Sequence, residues 1–166
     1  MTVRTGLGVD THRFAEGRRL VLGGVEIPSE RGLAGHSDAD VLSHAVADAL
    51  LGAAGLGDIG RHFPDTDPAW RDADSIALLR TVVERVREAG WAVVHVDATV
   101  MLERPKLAPH RDAIVARLAD AVGGSVSVKA TTGEGMGFVG REEGVAALAV
   151  ATLEGAAGGP PAPLEP

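Results

Sequence analysis

The spacing of apolar residues changes period several times along the chain. Val3 to Val9 reads as a strand, and Leu20 to Ile27 as another, interrupted by Gly23-Gly24 at a bulge or close backbone approach. From Asp38 to about Ala53 the period is helical. Leu42, Ala45, Val46, Ala49 and Leu50 share one face, and Asp40, His44 and Asp48 the other, with Ser37 or Asp38 as the expected N-cap. Gly55 to Asp67 is a loop rich in glycine and aspartate. A second helix is expected over Asp74 to Ala89, burying Ile76, Leu79, Val82, Val83 and Val86 and stopped by Gly90. Trp91 to Leu102 is strongly β-like, Pro109 to Val122 is helical, and Ser125 to Thr131 alternates as a strand. Val145 to Leu153 is balanced: its alanines suit a helix, whereas Val145, Val150 and Thr152 suit a strand. The last stretch, 155–166, is mostly Gly, Ala and Pro and is expected to be disordered. Strands alternating with helices, without repeat or linker, predict a single α/β or α+β domain over residues 1–154.

Composition narrows the classes of function. At 166 residues, 45% hydrophobic and 23% charged, the chain is long enough and apolar enough for one proper core. A net charge of −7 without a basic stripe excludes a general nucleic-acid binder, and 3% aromatic residues are too few for base-stacking platforms. Phosphates can still be held on an acidic protein by a local cluster of Lys, Arg or metal. The chain has no cysteine, which excludes disulfides, thiolate metal ligands and a Cys nucleophile. A zinc site would have to use His and carboxylate, a set more typical of catalytic than of structural sites. No signal peptide is evident, and no apolar run reaches the ~20 residues that span a bilayer. The expected location is cytoplasmic, with no membrane partner.

Three side chains then stand out. In Asp10-Thr11-His12, at the end of the first strand, residues i and i+2 point to the same side, so a carboxylate and an imidazole converge. His44, on the polar side of its helix, supplies a second imidazole. Such a trio leaves one tetrahedral position open, as in a catalytic zinc site, although Mn or Fe would also suit it. Taken singly, an Asp-x-His is often a surface turn and a helix-face His is usually solvated. His36 fits either a fourth ligand or an active-site donor, and spacing alone leaves both open. Asp48, one turn after His44, could orient that imidazole or simply face solvent. The loop Gly57–Asp67 gathers charged side chains around glycines and Pro64. Thr131-Thr132-Gly133-Glu134-Gly135-Met136-Gly137, preceded by Lys129, has the composition of a phosphate cradle or, more plainly, of a mobile glycine turn.

Taken in order, these segments resemble the 2-C-methyl-D-erythritol 2,4-cyclodiphosphate synthase family from Val3 to about Leu153. The matching pieces begin with Gly8-Val9-Asp10-Thr11-His12-Arg13-Phe14, His36-Ser37-Asp38-Ala39-Asp40-Val41 through His44, and Asp48 to Ala53. They continue with Gly57-Asp58-Ile59-Gly60, Phe63 to Pro68, Ala73-Asp74-Ser75, Pro105-Lys106 with Pro109-His110, and Val128 to Thr132 with Glu134 and Gly137-Phe138. The resemblance implies a mixed β-sheet packed against helices, with sheets assembling around the axis of a homotrimer and active sites between subunits. It makes the ambiguous last element a strand.

The resemblance also implies roles. Zinc would be held by Asp10, His12 and His44, while His36 and Thr132 would position the diphosphate and stabilise the transition state. Ser37, Asp58, Ile59 and Gly60 would hold the methylerythritol part, with Phe63, Pro64, Asp65, Thr66 and Asp67 enclosing it. Leu102 to Ala108, including Lys106, would form a cytidine pocket with Thr131, Thr132, Gly133 and Glu134, and Glu134 would help seat magnesium or manganese. Phe138 and Arg141 would lie near the trimer axis, where an isoprenoid diphosphate could bind. Two places depart from the family pattern: Gly133 and Gly135 replace a hydroxyl and a basic residue, leaving backbone contacts, and Glu103 and Arg104 stand where smaller or neutral residues are usual. The implied reaction closes a cyclic diphosphate and expels CMP. A metal-dependent nucleotide-diphosphate hydrolase is the rival within enzymes, and a trimeric isoprenoid-diphosphate carrier is the rival outside them.

Overall fold

The computed structural model describes residues 1–156; the rest of the expected tail, 157–166, lies outside the described residues. Among the described residues seven strands form: β1 (Thr2–Glu16), β2 (Leu20–Leu22), β3 (Val25–Ile27), β4 (Arg31–Leu33), β5 (Trp91–Met101), β6 (Ser125–Thr131) and β7 (Gly144–Gly155). The helices are α1 (Val41–Ala54), α2 (Ile59–His62), α3 (Ser75–Glu88), α4 (Arg111–Val122) and α5 (Gly137–Gly140). The main sheet has the order β4-β1-β7-β5-β6, and β2 pairs with β3 in a separate hairpin. Among these strands β5 and β6 alone pair in parallel; they are joined by the crossover that carries α4. The domain is therefore a mixed sheet with helices packed on one face.

The first strand is longer than its apolar pattern suggests. Its second half continues along β7 as far as Arg13 opposite Gly144, then pairs with β4 from Phe14 onward. Asp10 and His12 therefore lie within the strand rather than at its end. The segment 20–27 is not one strand: Gly23 and Gly24 both take positive φ, 59° and 72°, and turn the chain into a hairpin. The third long helix begins at Arg111, after a 3₁₀ turn over Ala108–His110.

The last element is a strand, as the family resemblance implies. It lies in the middle of the sheet, paired antiparallel with both β1 and β5. Its helix-facing positions Val145, Ala147, Ala149, Ala151 and Leu153 are buried. The three alanines there reflect closeness to α1, not helix propensity. The same closeness is stricter on β1, where a Cβ on Gly8 would sit 1.9 Å from the Ala45 carbonyl oxygen, and one on Gly6 2.2 Å from that of Ala49. Backbone rests on backbone at both points. The opposite sheet face is open, and Val3, Leu7, Val9 and Val150 are exposed on it.

Gly8→Ala is expected to destabilise the chain by about 3 kcal/mol, the upper end of overpacking costs, because the atom it strikes is backbone. Gly52→Ala, on the exposed side of α1 with nothing within 4 Å of its Cβ, should instead stabilise by about 1 kcal/mol. Urea denaturation of the two variants checks both signs.

Candidate metal centre and cleft

Helix α1 is anchored at its start by Asp40, not by Ser37 or Asp38. The Asp40 side chain accepts from Ser43 N at 3.0 Å and Ser43 Oγ at 2.7 Å, and also from Gly23 N at 2.9 Å and Gly24 N at 2.7 Å. Placed by its spacing on the polar face of the helix, Asp40 is fully buried. Burial pushes its carboxyl up, against the hydrogen bonds from Ser43, Gly24 and Gly23. Before it, Ala39 sits in the left-handed region at φ 57°, turning the His36–Asp38 segment over the sheet.

This anchoring, with the close contact at Gly8, sets His44 above Asp10 and His12. His44 Nδ1 lies 3.1 Å from Asp10 Oδ2 and 3.3 Å from His12 Nε2, and His12 Nε2 lies 3.0 Å from Asp10 Oδ2. Among the described residues, this is the one group of three or more His, Cys, Asp or Glu side chains close enough to share a cation. The outer ring nitrogens are both held: His12 Nδ1 donates to the Ala34 carbonyl at 2.7 Å, and His44 Nε2 meets Ser75 Oγ at 2.8 Å. That leaves two imidazole lone pairs and a carboxylate aimed at one point, a donor set that fits a divalent transition metal.

The electrostatics agree. Burial alone would raise the Asp10 carboxyl, but hydrogen bonds and charge from His12 and His44 hold it at about 2. His12 is moved up: burial disfavours its charged form, and the Asp10 carboxylate outweighs that. Asp48 does not orient His44. Its Oδ1 accepts from Ile59 N at 2.7 Å and so fixes the start of α2.

The metal group opens into a cleft of about 480 Å³ lined by His36, Ser37, Ile59, Gly60, Phe63, Pro64 and Asp65. Sequence reasoning missed Gly35, Trp70 and Leu78 on the same walls; no period or motif distinguishes them from ordinary loop and core residues. Phe63 is buried, edge-on to Trp70 at 4.9 Å, with the Arg85 guanidinium 5.0 Å over its ring. Asp58, Asp67 and Thr66 do not line the cleft. Asp58 accepts from Arg61 N, Asp67 accepts from Ala69 N, and Thr66 is exposed.

The second set of expected residues is not brought to this cleft within one chain. Lys106 lines a separate cavity of about 580 Å³ with Phe14, Arg31, Glu103, Arg104 and Glu142. Thr131, Thr132 and Glu134 are exposed, Glu134 at φ 52°, with Glu134 N donating to Thr132 Oγ1 at 3.3 Å. Glu103 accepts from Gly133 N at 2.8 Å, tying this loop to the Lys106 segment. Lys129, which precedes the glycine loop, is paired with Asp97. Phe138 lines a third, smaller cavity with Thr11 and Arg13, and Arg141 pairs with Glu143 at 2.9 Å.

A mixed-sheet α/β domain with an aspartate–histidine–histidine group able to hold a metal ion at the floor of a cleft is the class that fold and site define. Within that class, the sequence model of the YgbB family matches residues 3–154, and the chain belongs to this family. It is 66% identical over 157 residues to the 2-C-methyl-D-erythritol 2,4-cyclodiphosphate synthase of Salinibacter ruber, covering 93% of this chain and 100% of that one. Among solved structures, the bifunctional IspDF of Campylobacter jejuni superposes with a TM-score of 0.89 at 44% identity, over 93% of this chain and 42% of that longer one. A 2C-methyl-D-erythritol-2,4-cyclodiphosphate synthase in its CDP-bound form gives 0.84 at 42% identity, over 91% and 100%.

Because the raised His12 holds its proton at mildly acid pH and a metal ligand must lose it, cation uptake should release protons. Calorimetric titration of the metal-free chain with Co²⁺, in buffers of different ionisation enthalpy, should show proton release that declines as the pH is raised from mildly acid to alkaline.

Proposed function

We propose that this chain converts 4-diphosphocytidyl-2-C-methyl-D-erythritol 2-phosphate into 2-C-methyl-D-erythritol 2,4-cyclodiphosphate, with release of CMP, in the non-mevalonate route to isoprenoid precursors. The observation that carries the reading is the Asp10–His12–His44 group facing a cleft walled by His36, Ser37 and the Ile59–Asp65 segment. The names of its relatives support it.

An oxygen of the substrate's own 2-phosphate attacks the β-phosphorus, the bond from that phosphorus to the oxygen bridging to the α-phosphate breaks, and CMP leaves with that oxygen. No protein nucleophile is required. The obstacle is the approach of two anionic groups at the ends of a flexible chain. Holding them near attack geometry contributes up to ~7–11 kcal/mol. Ser37, Ile59 and Gly60 grip the methylerythritol part, with Asp58 fixing their turn; Phe63 to Asp67 close over it. His36 and Thr132 donate to the phosphoryl oxygens as charge develops, worth about 3–4 kcal/mol per well-placed donor. Zinc at Asp10, His12 and His44, when bound, supplies Lewis-acid polarisation, and magnesium or manganese beside Glu134 neutralises diphosphate charge.

Since Lys106 and Thr131 to Glu134 do not line the cleft of their own chain, we place them against the cleft of a neighbouring copy in a homotrimer. There they hold the cytidine diphosphate, with Gly133 contributing backbone only. The open sheet face bearing Val3, Leu7, Val9 and Val150 is the apolar surface for that assembly. Phe138 and Arg141 lie toward its axis and suit the apolar tail and diphosphate of an isoprenoid ligand. The reading implies cytoplasmic action.

His44→Ala should lose zinc and CMP release while remaining folded, with turnover followed in metal-controlled buffer. With the unmodified chain, phosphorus NMR should show two coupled ring signals; a linear phosphate product would make it a hydrolase. Mixing inactive Asp10→Ala and Thr132→Ala chains after dissociation should restore activity at about a quarter of the sites if each site joins two subunits. No recovery would place the whole site within one chain.

A further inference from the structure

Helix α3 starts against the metal centre, and its first residue touches a ligand. Ser75 is 1% exposed and its Oγ lies 2.8 Å from His44 Nε2. The same hydroxyl donates to Asp38 Oδ1, and Ser75 N donates to Asp38 Oδ2 at 3.0 Å, so both carboxylate oxygens grip one residue. With its proton committed to Asp38, the hydroxyl offers only lone pairs to His44, and Nε2 must be the protonated nitrogen. Ser37 Oγ, 3.2 Å from the same nitrogen, is the longer contact, and beside the lone pair that accepts from Ala39 N it has a second to face the Nε2 proton. Of the two neutral tautomers, this one turns the Nδ1 lone pair toward Asp10 and His12, where a cation would be held.

We infer that Ser75 and Asp38 are positioning residues: a carboxylate–hydroxyl–imidazole relay that fixes the tautomer and ring orientation of His44 for metal binding. Asp48, the carboxylate one helical turn along, is occupied at Ile59 N and cannot do this. The relay also makes the junction between α1 and α3 part of the metal centre, since Asp38 precedes one helix and Ser75 begins the other. The inference rests on the metal reading of the Asp10–His12–His44 group.

The test uses the full chain, with zinc affinity measured by chelator competition and the His44 tautomer read from ring nitrogen NMR shifts of the metal-free protein. Ser75→Ala, which keeps the backbone bond to Asp38, should weaken zinc by about 10- to 100-fold and mix the two neutral tautomers. Ser75→Thr, which restores a hydroxyl, should recover most of the affinity and the single tautomer. Asp38→Asn, which keeps size and an acceptor, gives a second route, with a smaller loss of affinity in the same direction. Unchanged affinity and tautomer in Ser75→Ala would overturn the relay while leaving the metal site standing. Failure of the unmodified chain to bind zinc would overturn both, and the two failures are told apart by that control.

Discussion

The contact of α1 with β1, backbone against backbone, is the constraint from which the rest of the molecule follows. A side chain at Gly8 would collide with the Ala45 carbonyl, one residue beyond His44. The two glycines thus do more than fill a tight spot: they set the height of the helix above the sheet. At that height an imidazole from the helix meets a carboxylate and an imidazole from the strand at about 3 Å, the separation at which donor groups share a proton or a cation. The alanines of β7 extend the same low ceiling across the middle of the sheet.

Three aspartates around α1 then connect that helix to its surroundings. Asp40 holds the Gly23-Gly24 turn, Asp48 holds the first amide of α2, and Asp38 holds the first residue of α3. Each carboxylate satisfies backbone groups that a helix start or tight turn would otherwise leave unpaired. The metal centre is thereby surrounded by segments that are distant in sequence yet stitched to one helix. Substitution at any of these acids would be felt at the ligands through geometry, and at Asp40 and Asp48 through charge as well.

The sequence made the long elements legible because their periods are strong: α3, with Ile76, Leu79, Val82, Val83 and Val86 buried as expected, is the clearest example. It did not reveal β4 or α2, whose three and four residues are too short to carry a period. Reading 20–27 as one strand failed because the apolar alternation survives the turn, and only the handedness of the two glycines breaks it. Asp40 was placed on the polar face of α1 because a helical wheel treats its first turn like any other, whereas a cap faces inward when another loop needs its oxygens. At the site, Asp10 and His12 were legible from the two-residue strand period. Ser75 was not, because a serine opening a helix looks the same whether it touches solvent or a ligand. Nor does local spacing show that the Thr132 loop and the Asp10 cleft stand apart within one chain; that is a property of the folded surface.

Between residues 58 and 67, Phe63 alone is buried, held between Trp70 and the Arg85 guanidinium. The wall of the cleft is thus tied to the body by that ring, by Ile59 packed on the same core, and by the Asp48 carboxylate at Ile59 N. Because Asp48 sits on the helix that carries His44, wall and metal-bearing floor are joined through that one helix. The fit of one aromatic ring between Trp70 and Arg85 is thus felt along the wall and, through Asp48, at the helix beneath it.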